Sequence, residues 1–320
     1  MITLWLAFAW LMHSANSLTP DLSGAIGMYG LGEYQKAAES LANQSLTRPL
    51  EGDLRFWLGK SYYRLRRWDD AIREFERAVR IEPSNSSYHL WLGRAFGRKA
   101  EHSPFFLALV PARKLLKEFE TAVRLSPENM DARFDLLEFY LNAPSIIGGG
   151  HDRAKAQVRE IARIDPRLGC AALARLYENE KKYDWAREEL KLATVKFPAE
   201  AEAWVDLADY CLRRSAYSDA EHCATKALEL TRLPGHRAKL ILTASWVRLG
   251  KNLTRAERTL QTLSAGPLGD DDPPFEDVYY WLGQARLGLG QAGGAREAFK
   301  AALRFNPDHS HTKAALAYSR

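Results

Sequence analysis

A spacing of 34 residues recurs along nearly the whole chain, and no other feature limits its fold so tightly. The clearest unit is residues 52–85, GDLRFWLGKSYYRLRRWDDAIREFERAVRIEPSN. With Gly52 as position 1, Leu58 is position 7, Gly59 is 8, Tyr62 is 11, Ala71 is 20, Phe75 is 24, Ala78 is 27 and Pro83 is 32. The frame returns at 201–234 with Trp204, Leu207, Ala208, Ala220, Ala224 and Ala227, and at 276–309 with Leu282, Gly283, Ala295, Phe299, Ala302 and Pro307. Weaker copies occupy 18–51, 167–200 and 237–270, and two longer ones occupy 86–129 and 130–166, which makes eight repeats.

The pattern has a physical reading. Each repeat is two amphipathic helices, A and B, joined by a short turn. Small residues at 8, 20 and 27 let the two helices approach, large ones at 4, 7, 11 and 24 fill the space between them, and proline at 32 ends helix B. One hairpin leaves an apolar face uncovered until the next stacks on it, so the fold class is an all-α solenoid. The residues at these positions resemble the tetratricopeptide repeat (TPR) signature over residues 18–309, and the block 104–150 is also similar to exported bacterial members of that family. The resemblance implies a right-handed superhelix of about eight helix-turn-helix repeats, closed by a capping helix over residues 310–320. It also implies a protein or peptide as partner, and by itself names none.

The amino-terminal end stands outside the repeat register. An apolar run from Ile2 to Met12 precedes the small and polar residues Ser14, Ala15, Asn16 and Ser17, and the first charged residue is Asp21. Eleven apolar residues are too few to cross a hydrocarbon layer of about 30 Å as a helix. The segment reads as a signal peptide, residues 1–17, cut before Leu18, and it places the mature chain in the periplasm or outside the cell. No later stretch is apolar enough to span a membrane.

The remaining composition argues mainly by exclusion. Three cysteines, Cys170, Cys211 and Cys223, are an odd number without a C-x-x-C pair, which speaks against a disulfide framework or a zinc site. Cys211 falls at a core position and reads as a buried thiol; a bridge to Cys223 across one hairpin is the alternative. The sequence contains no H-E-x-x-H, G-x-S-x-G or G-x-x-x-x-G-K-[ST], so no catalytic residue and no cofactor is expected. Gly148, Gly149 and Gly150 read as a loop with Asp152 as a helix cap. Asp270, Asp271, Asp272, Glu276 and Asp277 read as a solvated connector, because a calcium loop would need a glycine and a terminal glutamate that they lack. His309 and His311 are two ligands at the chain's end, too few for a metal.

Lys and Arg exceed Asp and Glu by 45 − 40 = 5. The surplus suits an acidic protein, an anionic membrane or nucleic acid equally, although export makes nucleic acid an unsuitable partner. Positions 2, 5, 9, 12 and 13 of the A helices face away from the hairpin and should line a concave groove. They hold Phe56, Lys60, Tyr63 and Arg64 in the second repeat, Arg94 and Arg98 in the third, Phe134 in the fourth and Arg175 in the fifth. The amino-terminal half of the groove therefore reads as basic with aromatic platforms, fit to clamp an extended or acidic segment, and the bland alternative is a solvated face. The carboxylate clamp of TPR co-chaperones is not carried over, since Phe56, Lys60 and Trp91 stand where its lysine and asparagines would be.

Two insertions are apolar where loops should be polar. Residues 102–111 add Phe105, Phe106, Leu107, Leu109 and Val110, and residues 144–150 add Ile146 and Ile147. Both are expected between helices A and B on one edge of the solenoid. They would meet there as a local core, or form an exposed apolar patch for a partner. The two functional classes that remain are a binding scaffold using the groove and a self-assembling structural protein using the edge patch, with an enzyme a distant third. Export predicts that the mature protein, recovered from the exporting host and sequenced from its amino terminus, begins at Leu18; secreted material that retains Met1 would overturn the signal-peptide reading.

Overall fold

A computed structural model describes residues 20–231 and 234–319, and the side chains of all of these except Pro20, Asp21 and Phe105. The expected signal peptide and the cut before Leu18 lie outside the described residues. Among those described there are seventeen α-helices and no strand. They divide into two compact units, the first ending at Leu125 and the second beginning at Ser126.

The first unit holds three hairpins: α1 (Pro20–Gly30) with α2 (Tyr34–Thr47), α3 (Gly52–Arg64) with α4 (Trp68–Ile81), and α5 (Ser86–Glu101) with α6 (Phe105–Leu125). The second holds five: α7 (Met130–Asn142) with α8 (His151–Ile164), α9 (Pro166–Asn179) with α10 (Tyr183–Lys196), α11 (Ala201–Arg213) with α12 (Tyr217–Leu230), α13 (His236–Arg248) with α14 (Leu253–Ala265), and α15 (Phe275–Gly288) with α16 (Ala292–Phe305). A last helix, α17 (Ser310–Tyr318), packs on α15 and α16. Within each unit successive hairpins stack in chain order, and the A helices touch one another (α3 with α5, α11 with α13, α13 with α15) more closely than any two B helices do. The A helices therefore form the inner face of each stack.

Local sequence explains where the helices start and stop. Asn85, Asn129 and Asp165 cap α5, α7 and α9, each accepting a backbone N–H two or three residues on, and Pro166 occupies the first turn of α9. Pro83, Pro127, Pro198 and Pro307 each follow the end of a B helix by two residues. Six short turns from A to B use the left-handed region: at Gly32, Gly250 and Gly290 where the chain supplies glycine, with Asn252 a second such residue after Gly250, but at Arg66, Lys181 and Ser215, with φ of 60°, 59° and 61°, where it does not.

The contact between A and B explains the choice of residues at positions 8 and 24. A Cβ added at Gly59 would lie 2.7 Å from the ring of Phe75, one at Gly93 2.5 Å from Phe119, and one at Gly283 2.3 Å from Phe299. Glycine at 8 therefore admits phenylalanine at 24. Where position 8 is alanine (Ala25, Ala174, Ala244), position 24 is Leu41, Leu190 or Leu260; for Ala208 it is Ala224, and all of these are buried. The pair fills one space with two complementary volumes. All three cysteines are buried free thiols, and burial together with the neighbouring Cys211 pushes the Cys223 thiol up to about 12.

The first insertion is not a loop between helices. Helix α5 has 16 residues against 13 in α3, and α6 has 21 against 14 in α4, so the ten added residues lengthen the two helices by three and seven. Leu107, Ala108 and Leu109 are good helix formers just after Pro104, whose carbonyl accepts from Leu107 and Ala108 N–H to open the first turn. The second insertion is a loop, with a 3₁₀ turn at Ser145–Ile147. Gly149 packs its backbone against the Ala143 carbonyl, where a Cβ would come within 1.7 Å, and Gly150, not Asp152, takes the capping position of α8.

Phe106, Leu107, Val110 and Ile146 are 71%, 57%, 64% and 72% exposed, while Leu109 and Ile147 are half-buried. A local core over the expected patch is thus not formed by the four exposed side chains. Phe105's side chain is outside the described set, and Ile146 and Ile147 belong to the second unit while the others belong to the first. The packing at positions 8 and 24 predicts that Gly283→Ala costs about 1–3 kcal/mol by overpacking against Phe299. Adding Phe299→Leu, which restores the alanine–leucine pairing of other repeats, should recover most of the loss. Denaturant midpoints of the two single variants and the double variant check this, and simple additivity would show that the two positions do not share one space.

Candidate interaction face

The A helices of the first unit carry Phe56, Lys60, Tyr63 and Arg64 on α3 and Arg94 and Arg98 on α5, and the structure separates these into a buried layer and an outer one. Phe56 is in the core, its ring 4.9 Å from Tyr88 and 5.9 Å from Phe75. Lys60 is 3% exposed. Its Nζ lies 3.8 Å from the ring centre of Trp57, 4.8 Å from Trp91, 5.0 Å from Tyr29 and 5.5 Å from Phe56. Neither residue lines a solvent-facing groove. Contact between successive A helices covers positions 5 and 9 with rings from the preceding and following repeats, and a lysine stem packs well in such a slot while the rings face its ammonium.

The outer layer stands on this aromatic base. Arg64 Nε donates to the Tyr29 hydroxyl at 2.9 Å, and Arg98 Nε donates to the Tyr63 hydroxyl at 3.2 Å. The Arg94 guanidinium sits 5.1 Å over Trp91, and the Tyr63 ring meets Trp91 and Trp68 edge-on at 5.4 and 5.3 Å. Arg98 also pairs with Glu101 at 2.9 Å, and each of the four cations is engaged by its surroundings. Phenol oxygens and indole faces orient a guanidinium without neutralising it, and a guanidinium is the side chain best shaped to bind carboxylates.

In the second unit, Phe134 and Arg175 share a small cleft of about 180 Å³ with Glu178 and Arg213. Here cations alternate with carboxylates. Arg175 lies between Glu138 and Glu178, both at 3.8 Å; Arg213 binds Glu178 at 2.6 Å and Asp209 at 2.9 Å; Arg237 reaches Glu202 and Asp206. Burial holds the Asp206 carboxyl above the usual aspartate range although Arg237 and Arg167 flank it. Arg175 thus belongs to a charge-balanced face and does not extend the basic surface of α3 and α5, which its sequence position alone suggested.

Tyr29, Trp57 and Trp91 were not singled out by the groove positions, yet they build the base. A signal was present: tryptophan recurs at position 6 of three repeats, as Trp57, Trp91 and Trp281, and Trp281 also carries an arginine, Arg248, at 5.2 Å. The acidic connector is tied to its surroundings, with Asp272 paired to His236 at 3.0 Å and accepting from Gly269 N–H at 2.8 Å. Among the described residues no group of three or more His, Cys, Asp or Glu side chains is placed to hold a metal ion, and no helix is long and apolar enough to cross a membrane.

Residues 52–85 and 276–309 each match a family profile described as Tetratricopeptide repeat, with the bounds of the second and eighth repeats. No curated protein matches the sequence. Among solved structures, yeast Tom70 superposes with a TM-score of 0.61 over 90% of this chain at 17% identity, and the match covers 58% of that protein. A tetratricopeptide repeat protein from Parabacteroides merdae is 16% identical over 93% of this chain and 97% of its own, with a TM-score of 0.45. One chain of the APC/C hetero-tetramer Cut9-Hcn1 gives 15% identity over 93% of this chain and 55% of its own, with a TM-score of 0.48. The chain spans less than two thirds of Tom70, and at this identity the likeness is one of fold alone.

Burial of Lys60 yields a direct test. Amine-directed labelling of the native protein should leave Lys60 unmodified while Lys36, with 65% of its side chain exposed, reacts; unfolding should abolish the difference. Equal labelling of the two in the native state would return Lys60 to an open groove.

Proposed function

Because this chain is a tetratricopeptide-repeat protein, we propose that it serves as a non-enzymatic scaffold whose first unit clamps an extended, acidic protein segment on the inner face of its A helices. The observation that carries this reading is the set of arginines on the inner face of the first unit. Arg64 and Arg98 each donate Nε to a tyrosine hydroxyl, and Arg94 lies over the Trp91 ring, so the three guanidiniums stand together on an aromatic base. Guanidiniums held in this way can give an acidic segment charge-assisted hydrogen bonds. Export after removal of residues 1–17 belongs to the same proposal and puts the partner outside the cytoplasm.

The test is a double reversal, Arg64→Glu with Arg94→Glu, read by fluorescence anisotropy of a labelled glutamate-rich peptide. The parent should bind more weakly as salt rises. The reversal should weaken binding roughly tenfold or more, equivalent to about 1.4 kcal/mol, with helicity and melting unchanged. Undiminished binding by a folded double variant would reject the clamp.

A further inference from the structure

The amino-terminal end of α6 joins an exposed apolar cluster to an exposed basic one. Phe106, Leu107 and Val110 project into water, 71%, 57% and 64% exposed, while further along the same helix Ala112, Phe119 and Ala122 are buried against α5. The helix turns about 100° per residue, so Phe106, Val110, Arg113 and Lys117 fall within an arc of about 60°. Arg113, Lys114 and Lys117 are all exposed, and among the described residues no carboxylate pairs with Arg113 or Lys117. One outward face thus reads apolar for its first two turns and basic for the next two.

The spacing along the axis is informative. Phe106 to Arg113 and Val110 to Lys117 are each seven residues, a rise of about 10 Å. With the amino-terminal end of the helix directed at a bilayer, this rise would set the apolar side chains about 10 Å deeper than the cations, close to the 5–10 Å that apolar groups reach in the boundary between headgroups and acyl chains. The neighbouring edge is basic as well: Arg66, Arg67, Lys99 and His102 line a cleft of about 390 Å³ at the adjoining turn, shared with Asp69 and Asp70, which pair with Lys99 and Arg67.

A protein partner fits these facts less well. A stable interface buries about 800 Å² on each side, more than three side chains provide. A second copy would bury only this small apolar patch against itself and would bring no counter-charge to Arg113 and Lys117. An anionic bilayer satisfies the apolar end and the cations together.

We propose that the amino-terminal end of α6 docks this protein on an anionic bilayer surface, with Phe106, Leu107 and Val110 entering the acyl boundary and Arg113, Lys114 and Lys117 contacting the headgroups. The docking is peripheral, consistent with the lack of any membrane-crossing helix among the described residues. It is independent of the inner-face clamp, which lies on the A helices.

The test uses the full chain with Leu107→Cys carrying an environment-sensitive nitrobenzoxadiazole probe. The three native thiols are buried, so labelling of the folded protein is selective. Vesicles of phosphatidylserine and phosphatidylcholine should shift the emission to the blue, and vesicles of phosphatidylcholine alone should do so only at tenfold or more higher lipid. Arg113→Glu with Lys117→Glu should raise the half-saturating anionic lipid at least tenfold. A probe at Glu297→Cys, an exposed position of α16 with no exposed large apolar side chain on its helix, should not respond, so that adsorption through residues 1–17 alone is not mistaken for docking by α6. The proposal is overturned by no shift at position 107, by an equal shift at position 297, by indifference to the charge reversal, or by a shift that needs only more protein and no lipid, the mark of a second copy.

Discussion

Every other feature of this fold depends on how closely helix B can approach helix A within one hairpin. Where Gly59, Gly93 and Gly283 lack a Cβ, the rings of Phe75, Phe119 and Phe299 occupy its place; where an alanine supplies one, the opposite side chain shrinks to leucine or alanine. This fixes the distance between the two axes, and with it which residues of each helix are left to touch the next repeat. Glycine in a helix interior is unfavourable by about 1 kcal/mol relative to alanine. Its presence at the centre of α3, α5 and α15 is therefore evidence that packing, not propensity, governs the position.

The stack that results has an inner face made of A helices in mutual contact, and this contact changes the meaning of charged positions. Lys60 has the sequence environment of a surface residue, yet Tyr29 from α1 and Trp91 from α5 close over it from the two neighbouring repeats. Arg55 is a second case: it is 9% exposed, pairs with Glu74 at 3.2 Å and donates to the Ser45 carbonyl, tying α3 to α4 and to α2. His89 is a third, with one ring nitrogen 2.6 Å from Glu118 and the other 3.0 Å from the Pro83 carbonyl. Its hydrogen bond to Glu118 raises its pKa above the ordinary histidine value, opposed by burial. Buried polar groups of this kind recur between the helices because each has its partners in fixed positions on adjacent elements.

The outer face shows the complementary effect. Three added residues in α5 and seven in α6 lengthen the third hairpin, and Phe106, Leu107 and Val110 at the start of α6 stand in solvent beside the exposed cations Arg113, Lys114 and Lys117.

The repeat frame, the all-helical class, the small and large positions of each hairpin and the terminal prolines were legible in the sequence, because each is set by residues within one 34-residue unit and by rules of sterics and hydrogen bonding that act over a few residues. The burial of Phe56 and Lys60, the neutral company of Arg175 and the helical course of residues 105–111 were not. Those outcomes depend on side chains that arrive from the preceding or following repeat, and on the added length of the third hairpin. Sequence determined what each hairpin is; only the stacking of hairpins decided which of its charges meet water, since a helical position is inward or outward solely with respect to its neighbours.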